Sequence, residues 1–150
     1  MANIINRDDG IIISFSAGEM LASGPQLPVV LTAPTRTLKP DTKRAKGLAM
    51  VNTALPVSAI DAEIAVTLGL KPVGQVEFTN GLDSKKQVAA GYKVSVFLNN
   101  GHHVELIVPA LSLSPVTMVL GRDFLSDIRF EYDGPQDRAR VLTRHEKTQG

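Results

Sequence analysis

The sequence predicts a mainly β protein, a small closed β-barrel with one or two short helices. Three observations carry that expectation. Twelve glycines and nine prolines punctuate the chain, and the Val/Ile/Leu runs between them have strand length. Asn80-Gly81 and Asn99-Asn100-Gly101 are hairpin-turn signals. A helical apolar stripe is carried by Ile60, Ile64 and Leu68. Many short strands with few helices bury their open edges best by closing on themselves.

Taken in order, a polar turn, Asn6-Arg7-Asp8-Asp9-Gly10, precedes a strand over Gly10–Phe15. The next strand, Leu27–Thr32, is bounded by Pro25, Pro28 and Pro34, which suits an edge position. Residues 33–46 read as a long exposed loop. Gly47–Val51 is an apolar run for a buried strand, Asn52-Thr53-Ala54 a polar turn, and Leu55-Pro56 an extended break. Ser58 stands three residues before Asp61, a capping-box-like helix start, and Gly69 can close that helix. Val73–Thr79 begins a strand. Tyr92, Val94, Val96 and Leu98 then alternate on one face of another, and a hairpin leads into His102–Val108. Pro109–Pro115 reads as a loop with Leu111 and Leu113 turned inward. A Val119-Leu120 strand, a helix near Asp123–Ser126, and strands over Ile128–Tyr132 and Arg138–Thr143 complete the chain.

At 150 residues the chain has the size of one domain. A net charge of +1 points to neither nucleic acid nor an anionic membrane as partner. The basic cluster Lys39, Lys43, Arg44 and Lys46 reads as a solvated loop. The absence of cysteine excludes disulfides, a thiol nucleophile and a zinc-thiolate site. No apolar run approaches the roughly 20 residues that span a bilayer. Ile11-Ile12-Ile13 is too short for a signal-peptide core and lacks a basic leader, so a cytoplasmic location is expected. His102 and His103 read as exposed turn residues. An adjacent pair without carboxylate spacing does not make a metal site, and neither metal nor cofactor is expected.

The segment from Gly47 to Leu70 resembles the active-site segment of retroviral-type (retropepsin-like) aspartic peptidases, in particular their bacterial branch. There a hydrophobic strand runs into Asp-Thr/Ser-Gly-Ala-Ser, then Val-Ser-Ala-Ile-Asp and a helix ending Leu-Gly-Leu. Val57-Ser58-Ala59-Ile60-Asp61 and Leu68-Gly69-Leu70 match that pattern. Downstream, Val119-Leu120-Gly121-Arg122-Asp123-Phe124-Leu125 and Ile128–Gly134 continue the likeness, and Ser23–Val29 resembles the opening strand. The resemblance spans 23–134. It implies a retropepsin-like domain there, an N-terminal extension with one strand over 1–22, and a C-terminal strand and tail over 135–150. It also implies a flap near Thr79–Gln87 and a homodimer. Asp83, Lys85 and Lys86 would form the solvated flap tip.

The catalytic pentad departs from the family's. Asn52, Thr53, Ala54, Leu55 and Pro56 stand where the family has Asp, Thr, Gly, Ala and Ser. Aspartic peptidases need two carboxylates sharing one proton; Asn52 has no useful proton affinity near neutral pH. Loss of acid–base chemistry costs at least roughly 10²–10⁴-fold in rate. Ala54 adds a Cβ where glycine allows close approach, and Pro56 removes a backbone N–H. Asn52 then reads as a residue that satisfies turn backbone, and Thr53 as the family's dimer-bonding threonine. Spontaneous deamidation of Asn52 is hindered by the following Thr53. Asp41-Thr42-Lys43 echoes Asp-Thr-Gly without the preceding apolar strand, and is set aside.

The expected function is therefore that of a catalytically inactive aspartic-peptidase-like protein, a homodimer that binds a peptide or protein. The expected groove residues are Leu55, Pro56, Asn80, Gly81 and Leu82. Gly121, Arg122 and Asp123 support the site, the last two as a buried-end ion pair and a helix cap. The rival readings are an active aspartic endopeptidase and a structural subunit whose groove has collapsed.

Overall fold

The computed structural model describes residues 3–7, 10–15, 20, 23–79 and 85–143. Among the described residues, eleven strands and two short helices follow one another as β1 (Asn3–Arg7), β2 (Gly10–Ser14), β3 (Gln26–Thr32), β4 (Ala45–Val51), β5 (Ala59–Asp61), α1 (Ala62–Thr67), β6 (Pro72–Phe78), β7 (Gln87–Leu98), β8 (His103–Leu111), β9 (Met118–Leu120), α2 (Arg122–Leu125), β10 (Arg129–Asp133) and β11 (Arg138–Leu142). The protein is mainly β, as the patterning predicts.

Seven strands form one sheet in the order β3-β4-β9-β5-β8-β7-β6, and β3 also pairs with β7. That last pairing, Val29↔Leu98 to Thr32↔Ser95, closes six strands into a barrel and leaves β6 hanging outside on β7. The four remaining strands make a second sheet, β1-β2-β11-β10. Side-chain alternation fills the barrel: Leu27, Val29 and Leu31 of β3, Val94, Val96 and Leu98 of β7, and Ile60, Met118 and Leu120 are all buried. Ile11 and Ile13 of β2 and Val141 of β11 join the same apolar cluster, so the second sheet packs its inner face on the barrel. Each large apolar side chain buried this way contributes about 1.5–3 kcal/mol.

Several local expectations are corrected. The N-terminal part carries two strands, because Asn3–Arg7 folds back on Gly10–Ser14; the segment expected as a turn supplies the end of β1. Proline placement suggested an edge for β3, yet it is paired on both sides. Pro28 fits because β7 pairing starts only at Val29, one residue beyond the position that has no N–H to give. β8 continues through Pro109 to Leu111, where a loop was expected. Tyr92–Leu98 is covered on both faces toward its end, since Ser95 and Phe97 are buried with Val94, Val96 and Leu98.

Ser58 does not cap a helix. Three residues, Ala59–Asp61, extend as β5 between β9 and β8, and the helix starts only at Ala62, after an Asp61 whose side chain makes no cap bond. The helix end is as expected. Gly69 adopts φ +65°, Gly69 N–H donates to Val66 O at 3.0 Å, and Leu70 N–H reaches Ala65 O at 3.0 Å. This is a Schellman closure, which a left-handed glycine allows without strain.

Candidate functional site

The topology places one loop in a special position. β9 lies between β4 and β5, parallel to the first and antiparallel to the second. The connection from Val51 to Ala59 must therefore arch over the end of β9, and the chain leaving β9 at Gly121 emerges beneath the arch. A Cβ on Gly121 would stand 2.7 Å from Leu55 O and 3.0 Å from the Val57 carbonyl carbon. Only glycine admits so close an approach of two backbones.

Polar bonds fix the back of the arch. Ser58, fully buried, donates its Oγ proton to Asp123 Oδ1 at 2.5 Å and accepts Gly121 N–H at 2.8 Å. Its own N–H points at both Asp123 carboxylate oxygens, each 3.0 Å away. Asp123 also receives Phe124 N–H at 2.8 Å. Arg122 sends Nη1 to Thr53 O at 2.9 Å and Ala54 O at 3.3 Å, and its backbone N–H to Leu55 O at 2.8 Å. The expected Arg122–Asp123 ion pair is thus replaced by two separate tasks: the guanidinium holds loop carbonyls, while the carboxylate holds loop amides. Charge-assisted bonds of this kind are stronger than neutral ones.

The front of the arch is the Asn52 turn. Asn52 N–H donates to Leu120 O at 2.9 Å, its carbonyl accepts Leu55 N–H at 3.3 Å, and its Oδ1 accepts Ala54 N–H at 3.0 Å. The side chain thus closes an Asx-type turn, the local role asparagine favours. Thr53 and Ala54 are exposed, and Asn52, Leu55 and Pro56 are half-buried.

Asn52 stands on the shared wall of two clefts. The first holds about 300 Å³ between the arch (Asn52, Leu55, Val57) and the β6–β7 hairpin (Phe78, Thr79, Gln87), over a floor that includes Pro109, Leu111 and Leu113. The second, about 410 Å³, is lined by Pro25, Val51, Asn52, Thr53, Phe130 and Tyr132. Among the described residues, neither lining contains a charged side chain. Leu113 reaches the first cleft because Asp61 Oδ1 accepts Leu113 N–H at 2.9 Å and Ser114 N–H at 3.2 Å, pinning the β8–β9 connection. Both nearby acids are therefore spent on backbone amides.

Of the residues expected at the groove, Leu55 lines the first cleft and Pro56 adjoins it without lining it. Asn80, Gly81, Leu82 and Asp83 lie outside the described residues. Lys86 is exposed, 4.0 Å from Glu77. The flap expected near Thr79–Gln87 supplies Thr79 and Gln87 to this lining, whereas sequence reasoning missed Phe78 and Pro109; the one available signal for Pro109 was its spacing from Leu111, which places both on one face of β8.

The two histidines are not exposed turn residues. His102 Nε2 lies 2.8 Å from Asp127 Oδ2, with the imidazole only 17% exposed. His103 stacks on Phe97 at 4.6 Å and approaches Ser95 Oγ at 3.1 Å. Ser95 Oγ also lies 2.9 Å from Thr35 O and accepts Thr35 N–H at 2.9 Å, so the pair sits in a network that ties β7 to the 33–37 segment. Among the described residues no group of three or more His, Cys, Asp or Glu is placed to hold a metal. No helix of the described residues is long and apolar enough to cross a membrane.

Comparison with protein-family models, curated proteins and solved structures finds no match.

Proposed function

We propose that this protein is a catalytically inactive relative of the retropepsin-like aspartic peptidases, which binds an extended peptide segment of a partner and leaves it uncut. The observation that carries the reading is the absence of any carboxylate among the described residues that line the clefts at Asn52. Peptide hydrolysis of the aspartic type requires a base for water and an acid for the amide. Asparagine supplies neither, and Asp61 and Asp123 are held by backbone amides elsewhere. What remains is an uncharged cleft between a fixed loop and a strand hairpin, which suits an extended chain bonded by its backbone. The open cleft of about 300 Å³ favours this over a collapsed structural subunit. One arch per chain and an exposed Thr53 beside Asn52 support a homodimer with the two arches facing each other. A cytoplasmic location and a protein partner belong to the same proposal.

The test is digestion of a diverse peptide mixture, read by mass spectrometry from about pH 3 to about pH 8. Wild type, Asn52→Ala and the double variant Asn52→Asp with Ala54→Gly are compared. Wild type and Asn52→Ala leave the mixture intact, while the double variant regains cleavage at acidic pH. Cleavage by wild type that Asn52→Ala abolishes would overturn the proposal.

A further inference from the structure

The chain carries a net charge of only +1, yet residues 36–46 hold five cations, Arg36, Lys39, Lys43, Arg44 and Lys46, against one acid, Asp41. The rest of the protein is therefore net acidic, and its excess of positive charge lies in one segment. That segment is held in shape. Thr35 N–H donates to Ser95 Oγ at 2.9 Å, which ties its start to β7. Thr42 N–H donates to Lys39 O at 3.0 Å, and Lys39 N–H to Thr42 Oγ1 at 2.9 Å. The Arg44 guanidinium donates to Thr42 O and Lys39 O and so clasps the turn, while Arg36, Lys39, Lys43 and Lys46 are exposed. Elsewhere Lys93, Arg129, Arg138 and Arg140 are each paired with a carboxylate. Among the described residues none of the five cations of this segment has such a partner.

From this we infer that residues 36–46 form a docking surface for an acidic segment of a partner protein. Charge complementarity names the occupant: unpaired cations on a fixed turn attract carboxylates at a smaller ordering cost than cations on a loose chain. The strand that leaves the segment says why the occupant is a protein. Lys46, Leu48 and Met50 alternate on one face of β4. Leu48 is 47% exposed, and Met50 lines the first cleft. On β3, Val30 stands opposite Lys46 and Pro28 opposite Leu48, so an apolar track runs from the cations to the cleft. A phosphate backbone has no use for that track, and residues 36–46 contain no aromatic side chain on which a base could stack. A polypeptide with acidic and apolar side chains uses both parts. Lys46 and Met50 are about 13 Å apart along the strand, the span of about four extended residues, so one partner chain can lie on the basic segment and continue into the cleft. That continuation rests on the peptide-binding reading above; the docking surface does not.

The probe is a fluorescent Glu-rich peptide, acetylated and amidated at its ends, with poly-uridine RNA and vesicles containing phosphatidylserine run beside it. Binding is read by anisotropy at about 50 mM and about 300 mM salt. Wild type binds the Glu-rich peptide in preference to the RNA and the vesicles, and more weakly at the higher salt. Lys39→Glu, Lys43→Glu and Lys46→Glu together lower its affinity about tenfold or more. Lys71→Glu, Arg129→Glu and Arg138→Glu together make the same change in net charge on other elements. They lower it less than about threefold, because exposed charges more than about 10 Å away are screened. Equal losses in the two triple variants, or none in the first, would overturn the docking surface. Tighter binding of the RNA or of the vesicles than of the peptide would overturn the choice of a protein partner. A second peptide carries an uncharged stretch of Leu and Phe about four residues beyond its Glu run, and binds wild type about tenfold or more tightly than the first. No gain from that stretch, with the Glu-rich peptide still bound, overturns the continuation and the peptide-binding reading while the docking surface stands.

Discussion

The two walls of the first cleft are built in opposite ways. The arch 52–58 is locked from behind by residues more than sixty positions away in sequence, with Ser58, Gly121, Arg122 and Asp123 bonded in one network. The β6–β7 wall is a ribbon. β6 is the outermost strand of its sheet, five of its seven residues are exposed, and Val73 and Val88 face solvent at 54% and 56%. The first wall holds a geometry; the second can yield to what enters. A binding site benefits from both, because a preorganised wall limits the ordering cost of association while a yielding one admits the ligand.

That contrast can be broken or sharpened. The largest effect is expected at Asp123→Ala, which strips the acceptor from Ser58 N–H and Oγ in the buried network. Each buried donor left without a partner costs about 1–3 kcal/mol, so urea denaturation will show a loss of roughly 2–5 kcal/mol. A loss under about 1 kcal/mol would mean that water replaces the carboxylate and that the arch is not locked.

A matched pair of glycine substitutions is the sharper comparison. In Gly121→Ala the new Cβ meets backbone, Leu55 O at 2.7 Å, so the arch must move; stability falls by about 1–3 kcal/mol and peptide affinity falls with it. In Gly91→Ala the new Cβ meets γ-methyls of two β-branched side chains, Val76 Cγ2 at 2.5 Å and Ile107 Cγ2 at 2.9 Å. Those must turn about a stiff χ1 to make room, but β6 is held on one side only and can move with them, so the loss is expected to be smaller than in Gly121→Ala and to leave the arch in place. Equal losses in the two variants, measured by thermal unfolding, would show the walls to be alike.

The smallest effect is dynamic. Amide hydrogen exchange should be faster in β6 than in β4, because β4 is paired on both sides and β6 on one. Equal protection would place both walls in one cooperative unit.

Most strands were legible because alternation and turn residues are local signals. The Tyr92–Leu98 pattern, the Asn100-Gly101 turn and the Gly69 helix stop each depend on side chains within a few positions. Asn52 was legible for the same reason: its bond to Ala54 N–H spans two residues. β5 was not, since three residues that begin an apolar helical stripe extend only when β8 and β9 flank them. Ser58 illustrates the failure at the site. Its spacing from Asp61 is that of a capping box, and nothing local says that Asp123 will supply a charged acceptor 65 positions away. The floor of the cleft was missed because the β8–β9 connection is set by Asp61, a long-range bond.

By itself the sequence determined the class of fold and the chemistry that position 52 can offer, because both follow from residue identity: apolar period, turn formers, and an amide in place of an acid. Tertiary structure decided which strands close the barrel, which acids are consumed by backbone amides, and which way the Asn52 amide faces. Those outcomes depend on which groups separated by tens of residues come within hydrogen-bonding distance, and that distance exists only after the chain has folded.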